Sequence, residues 1–308
     1  MVGSRILELS RFFDLGQGCL VDQAHRHPGA GGVCPHERGT CVTQQANVTA
    51  DLIAEGEEID RLVADVDEEH WTTPTPAPGW TVAHQIAHLA ATFRLAALAA
   101  SNATAFKQVI SQLSADFSAN VEAAMAEFLV EPPPVLLSRW RSERAGAEQA
   151  LAALPPDRMV PWLVRPLPAA VLAKAGMMET FAHGQDIADA FGVRREYTDR
   201  VGHLVDFAVR TWDFGYLSRN LAVPDVQLRF ELTAPSGQVW TFGPEDSAQR
   251  ITGSAVDLCL LVTRRRHRDD LALRASGDVA DGWLDLAQAY RGPAGEGRRA
   301  GQFAVGSR

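Results

Sequence analysis

The sequence has little cysteine, and most of what it has lies at one end. Of four cysteines in 308 residues, Cys19, Cys34 and Cys41 fall within the first 41, which leaves Cys259 alone in the rest. This placement excludes a disulfide framework for the main body of the chain. The N-terminal cysteines and the histidines near them match no common zinc-ligand spacing, so a zinc site there is not the favoured interpretation.

Long apolar runs and an excess of basic charge are also absent. No window approaches the ~20 apolar residues of a membrane span, and the N-terminus lacks the apolar segment and cleavage site of a signal peptide. With 29 Lys+Arg against 38 Asp+Glu, the formal net charge is −9, which disfavours general binding to phosphate backbones. We therefore expect a cytoplasmic protein, monomeric or homodimeric, that takes a small-molecule substrate and binds neither nucleic acid nor membrane.

The periodicity of apolar residues divides the chain into four parts. Residues 1–46 have little amphipathic pattern and are interpreted as a disordered or mis-annotated N-terminal extension. Residues 47–222 carry four or five helical segments separated by proline-rich loops, which predicts an up-and-down four-helix bundle. From 223 to 292 the period changes from 3.6 to 2 around a hairpin, and short helices follow. The fold class is therefore predicted as α+β: a helical bundle, then a small α+β domain with an antiparallel sheet, then a flexible tail at 293–308.

One predicted helix carries two histidines in an otherwise uncharged stretch. No Asp, Glu, Lys or Arg occurs from His70 to Phe93, and His84 and His88 stand four residues apart. This spacing places both on one helix face, opposite the apolar face, together with an alanine and a leucine. Imidazoles on such a face need polar partners. A backbone carbonyl for each histidine is the ordinary alternative to a functional site.

A second constellation lies in the longest predicted helix. Glu179, His183 and Asp186 fall within roughly 60° of one another around the helix axis. An i, i+4 Glu/His pair offers a carboxylate and an imidazole to one point, and a histidine from a facing helix would complete a His₂Glu set. That set is a known catalytic zinc arrangement with a fourth position open for water or substrate. Alone, the pair is more often a local contact within a helix, but together with the histidine helix in one bundle it favours a metal site.

These segments resemble a known family. The run from Pro78 to Ala90 and the run from Glu179 to Asp186 are similar to the two signature segments of the DinB-like metal-binding bundle of mycothiol-dependent maleylpyruvate isomerases. The resemblance is closer to an actinobacterial subfamily usually labelled "metal-binding protein", which shares an arginine-rich stretch like Arg265 to Asp270. It covers about residues 48–292.

The resemblance implies a ligand set and a chemistry. The implied metal ligands are His88, Glu179 and His183, the implied metal is a divalent ion, foremost Zn²⁺, and mycothiol or a similar small thiol is the implied cosubstrate. His84 departs from a simple match and is left open as a fourth ligand, a partner of a ligand or a substrate contact. We expect catalytic roles for Asp186 and His84, with Asp186 either a general base or a hydrogen-bond partner of an imidazole.

The remaining candidates concern substrate binding. A solvated helix C-terminus is the more usual explanation of the cluster formed by Arg264, Arg265, Arg266 and Arg268. The functional alternative is that one or two of these arginines turn toward the bundle and hold carboxylates of the thiol or substrate. Trp162 is the expected pocket wall. The function predicted overall is a zinc-dependent isomerase or S-transferase. The alternatives are a non-catalytic metal-containing binding protein with a sterol-carrier-like C-terminal module, and metal-assisted hydrolysis or another tailoring step without a thiol.

Overall fold

The computed structural model describes residues 47–163, 165–290 and 292–303. The interpretation of residues 1–46 lies outside the described residues. The first elements in chain order are α1 (Val48–Val63), α2 (Val82–Ser101), α3 (Ala103–Ile110), α4 (Phe117–Leu129), α5 (Pro133–Ala152), the two-residue strands β1 (Met159–Val160) and β2 (Leu167–Pro168), and α6 (Ala169–Phe191). None of the helices in these ranges, or in those that follow, is long and apolar enough to cross a lipid bilayer.

Helix boundaries follow the capping residues in the sequence. The side chains of Asn47, Asn102 and Asp116 accept backbone N–H groups at the starts of α1, α3 and α4. Gly192 ends α6 in the left-handed conformation, with a φ of 67°. Helices α3 and α4 are separated by a turn that contains Ser114 and Asp116.

The expected four-helix bundle is confirmed. Helix α2 packs on α5 and α6, and α1 packs on α6. Their apolar faces form one core that includes Ile59, Ile86, Leu89 and Trp140, all fully buried. Helix α6 is buried almost all round, since it also gives Met178 and Phe181 to the core of the C-terminal domain. Polar side chains on α6 must therefore find partners inside the protein.

The C-terminal part is α+β, as predicted. Its elements are α7 (Val201–Arg210), α8 (Phe214–Leu217), β3 (Arg229–Thr233), β4 (Val239–Phe242), β5 (Arg250–Ser254), α9 (Ala255–Val262), β6 (Arg274–Ser276) and α10 (Asp278–Leu286). A turn at 211–213 separates α7 from α8. Helix α9 runs directly out of β5, with Ser254 as its N-cap.

The sheet is mixed, which corrects the expectation of an antiparallel one. Its strand order is β4-β3-β5-β6, and β3 pairs antiparallel with β4 but parallel with β5. Sequence patterning missed β5. The end of β4 lies beside the start of β3, because the two strands are antiparallel. The chain then crosses to the other edge of β3, where β5 begins next to the start of β3 and runs parallel to it.

The described part of the predicted flexible tail lies against the body of the protein. The Arg298 side chain is 7% exposed and forms an ion pair with Asp186 of α6. The Gly301 N–H donates to Asp270 at 2.7 Å. The composition of the tail gave no indication of these contacts, because their partners, Asp186 and Asp270, lie far away in the sequence.

Candidate metal centre

Three side chains from two packed helices converge near the middle of the bundle. His88 lies on α2, and Glu179 and His183 lie one turn apart on α6. The Glu179 Oε2 atom is 3.5 Å from His88 Nε2 and 3.3 Å from His183 Nε2. One potential ligand atom from each residue lies within 4.8 Å of the others, and no other such group of three occurs within the described ranges.

These separations fit a bound divalent ion. A tetrahedral zinc ion with ligands at about 2.0–2.1 Å places neighbouring donor atoms roughly 3.3–3.4 Å apart. The two measured carboxylate–imidazole distances are close to that value. Two imidazoles and one carboxylate also form a donor set typical of catalytic zinc, which leaves one coordination position for another molecule. The residues therefore suit a metal without rearrangement of either helix.

Gln85 fixes the orientation of His183. The Nδ1–H of His183 donates to Gln85 Oε1 at 2.5 Å, and the Gln85 amide is fully buried. The oxygen of this amide must be the acceptor, because its nitrogen donates to Thr75 Oγ1 at 2.8 Å. A proton held on Nδ1 leaves the Nε2 lone pair directed toward Glu179. Such support of a ligating histidine through its second nitrogen is the usual arrangement in metal sites.

The charge state of the cluster also suits metal binding. Burial raises the pKa of Glu179, but the interactions of its carboxylate with the His183 and His88 rings outweigh burial and hold the pKa below the ordinary range. The pKa of His183 is lowered to about 4, chiefly by burial. The charges of His88 and Arg265 also lower this pKa, whereas Glu179 raises it by a smaller amount. At neutral pH, Glu179 is therefore a carboxylate and His183 a neutral imidazole, which are the forms that ligate cations.

Trp80 covers the imidazoles. Its ring centroid lies 5.8 Å from that of His183, in a stacked arrangement, and 5.3 Å from that of His88. The loop before α2 holds it there, because the Thr75 hydroxyl donates to the Trp80 carbonyl at 2.9 Å. Trp80 thus gives the site an apolar wall. The expected pocket wall, Trp162, instead stacks on Phe106 at a centroid distance of 6.0 Å.

His84 lies outside the cluster. Its Nδ1 is 2.8 Å from the Thr81 hydroxyl and accepts the Thr81 N–H at 3.3 Å, so the two residues form a capping box at the start of α2. The polar partner of His84 is therefore Thr81. Its expected catalytic role remains a prediction that these contacts do not support.

Asp186 is fully buried beside the cluster. Its carboxylate accepts from Arg265 at 2.8 Å and from Arg298 at 2.5 Å, with the Gln85 amide nitrogen 3.5 Å away. It is connected to His183 through Gln85 rather than directly. Two guanidinium groups on one carboxylate favour a role in positioning Arg265 and Gln85, and the general-base alternative for Asp186 stays a prediction.

The four candidate arginines point in different directions. Arg265 donates to the Ala182 carbonyl at 3.0 Å, next to His183, and is the one nearest the metal cluster. Arg266 makes a bidentate ion pair with Asp189 of α6, with N–O distances of 2.7 and 2.8 Å. Arg268 pairs with Asp281 and Asp285 on the outer surface. Arg264 turns to the tail, where it donates to the Gly295 carbonyl at 3.3 Å.

Sequence reasoning missed Gln85, Trp80 and Arg298. A signal for Gln85 was present, since an amide between two histidines in a stretch without charged residues must be paired when the helix is buried. Trp80 immediately precedes Thr81, the N-cap of the same helix, and this position was the available signal for it. For Arg298 the pattern offered no signal, because its partner Asp186 is 112 residues away.

We expect Gln85→Leu to weaken metal affinity by about 10–100-fold, the range typical of lost support for a ligating histidine. The change removes the acceptor of the His183 Nδ1–H while keeping a side chain of similar size. Competition with a chromophoric chelator measures the dissociation constant. Gln108→Leu on the exposed side of α3 is the matched control. Equal affinities in the two variants would show that Gln85 does not support the ligand.

Comparison with known proteins agrees with this architecture. Residues 52–188 match a family model described as mycothiol maleylpyruvate isomerase N-terminal domain. Residues 224–276 match a second model, described as wyosine base formation. The first match contains all three residues of the cluster, and the second covers the sheet from β3 to β6.

Curated relatives and solved structures were found as well. The uncharacterized proteins Rv0036c and MT0041, from two strains of Mycobacterium tuberculosis, are each 43% identical over 249 residues, which is 81% of this chain and 97% of each relative. Two crystal structures of mycothiol-dependent maleylpyruvate isomerase, one of a point mutant, are 16% identical with TM-scores of 0.48 and 0.45. Each alignment covers 70% of this chain and 86% of the solved chain.

Proposed function

The chain belongs to the family of proteins with a mycothiol maleylpyruvate isomerase N-terminal domain, and we propose that it is a metal-dependent enzyme of the isomerase or S-transferase type. Its cosubstrate would be mycothiol or a similar small thiol, and its substrate a small electrophilic molecule. The observation that carries this proposal is the His88, Glu179 and His183 cluster, whose donor separations suit a zinc ion with one open position.

The residues of this site would have different roles. His88, Glu179 and His183 would hold the ion, and Gln85 keeps the His183 ring in its orientation. When bound, a zinc ion with an open position supplies a lowered pKa to a thiol or water that occupies that position. Trp80 provides an apolar wall that limits access of bulk water to the same place.

Charge beside the cluster favours an anionic substrate. Asp186 carries one negative charge and is bound by both Arg265 and Arg298, so the group keeps one uncompensated positive charge. Burial and the charge of His88 are the larger causes of the lowered His183 pKa, and the charge of Arg265 lowers it further, which places Arg265 close to the cluster. We propose Arg265 as the residue that orients a substrate carboxylate, since guanidinium pairs well with carboxylate oxygens.

We expect thiol addition to depend on the metal and to continue below the pKa of the free thiol, about 8.5. The metal favours the thiolate, so the rate with metal should stay high as the pH falls below the pKa of the free thiol. Without metal, the rate should fall as soon as the pH drops below that pKa. The measurement is the rate of mycothiol addition to activated alkenes and epoxides across pH, with maleylpyruvate as the first acceptor.

Zinc-loaded and chelator-treated protein are compared at every pH. Identical rates in the two preparations, or failure of mycothiol to bind the zinc form, would reject the transferase proposal. In that case a metal-containing binding protein becomes the better interpretation.

A further inference from the structure

A small cavity lies on the side of the C-terminal domain where the tail crosses it. Its volume is about 140 Å³, and the residues from Glu296 to Arg298 form one wall. The opposite wall comes from Leu261 at the end of α9 and Leu284 of α10. None of the three residues of the metal cluster lines this cavity, but Arg298, which does, also pairs with Asp186 beside the cluster.

The cavity is lined by more positive than negative groups. Arg264, Arg266, Arg268 and Arg298 line it together with two acidic residues, Asp285 and Glu296. Arg266, Arg268 and Arg298 are each in an ion pair with an aspartate. Arg264 has no carboxylate partner within the described ranges, and its one hydrogen bond is to a backbone carbonyl.

Two guanidinium nitrogens at this cavity are buried without partners. The Nε atoms of Arg264 and Arg298 have no hydrogen-bond acceptor among the described residues, although the Arg298 side chain is only 7% exposed. A buried N–H group without an acceptor is unfavourable in a folded protein. Because these two atoms are buried, an anion in the cavity would contact the terminal nitrogens of the same two guanidinium groups.

The backbone holds Arg264 in place at a conformational cost. Its φ is +59°, in the left-handed region where glycine is normally found after a helix. Gly297 of the tail makes room for it, because a Cβ at Gly297 would lie 2.6 Å from Arg264 Nη2. Burial lowers the pKa of the neighbouring Arg219, and the charge of Arg264 lowers it further, which indicates unbalanced positive charge in this region.

We propose that this cavity binds a small oxyanion, the carboxylate or phosphate group of a metabolite, through Arg264 and Arg298. Guanidinium groups bind both anions with charge-assisted hydrogen bonds. The cavity volume suits a small anion rather than a large ligand. The proposal does not depend on the metal chemistry, because the anion would contact neither His88 nor His183.

The test is isothermal titration calorimetry of the full chain with inorganic phosphate and, separately, with malonate at constant ionic strength. We expect saturable binding of one anion per chain, and the preferred probe identifies the group. Arg264→Gln should weaken it by about ten-fold or more, since a charge-assisted hydrogen bond is lost. Arg299→Gln and Arg274→Gln, which remove exposed arginines that do not line the cavity, should leave it unchanged.

Two further variants keep the result decisive. Gly297→Ala displaces the Arg264 guanidinium from the tail side and should weaken binding even if Arg264→Gln proves unstable. His183→Ala, which disables the metal cluster, should bind the anion as well as the unaltered protein does. Absence of saturable binding, full affinity in both cavity variants, or loss of binding in His183→Ala would overturn the proposal.

Discussion

Alanine at His183 is expected to reduce the bound divalent metal from about one ion per chain to background. His183 is buried in α6, and its Nε2 lies 3.3 Å from Glu179, so its removal leaves a carboxylate and one imidazole. Two protein ligands do not form a stable zinc site, because such sites use three or four. His88→Ala should have the same effect for the same reason. Elemental analysis of the protein as purified measures the metal content.

His84→Ala is the matched control for this prediction. His84 is on the same helix as His88, one turn earlier, but its ring bonds to Thr81 at the helix start. Its removal should therefore leave the metal content unchanged while costing about 0.5–1.5 kcal/mol in stability, the usual net contribution of one hydrogen bond. Full stoichiometric metal in a His88, Glu179 and His183 triple variant would show that the ligand set is wrong.

Much of this architecture could be predicted because it depends on local pattern. The spacing of Glu179 and His183 is fixed by one helical turn, and Gly192 marks the end of the same helix. The resemblance to a known family selected His88 over His84 as the partner from α2. Local geometry alone left that choice open, since both histidines are on the same helix face.

The remaining features depend on contacts between distant parts of the chain. Strand β5 was missed because Arg250–Ser254 has only one strongly apolar residue, Ile251, and its position is determined by pairing with β3 and β6. The tail contact of Arg298 depends on a carboxylate that only the packed bundle buries. Periodicity describes one element at a time and therefore contains no information on such pairings.

A buried ion-pair network joins the start of the bundle to the segment after α6. Arg195 donates to Glu55 at 2.5 Å, to Glu58 at 2.8 Å and to the Phe181 carbonyl at 3.1 Å. Arg200 donates to the same two glutamates, at 3.3 and 2.8 Å. The Arg195 side chain is 2% exposed and that of Glu55 is 5% exposed. Burial lowers the pKa of Arg195, but the charges of Glu55 and Glu58 outweigh it and raise the pKa, so Arg195 stays charged.

We expect Arg195→Ala to lower the free energy of unfolding by about 3–5 kcal/mol, because it leaves the buried Glu55 carboxylate without its principal partner. The matched control is Arg141→Ala on α5, which breaks a bidentate pair with Asp60 at distances of 2.6 and 2.9 Å. Asp60 lies on α1, the helix that also carries Glu55. Arg141 is 46% exposed, so its loss should cost about 1 kcal/mol or less. Urea unfolding with linear extrapolation measures both values. Equal costs would mean that water reaches Glu55 and solvates it as well as Arg195 does, and that the network contributes no more than an ordinary surface ion pair.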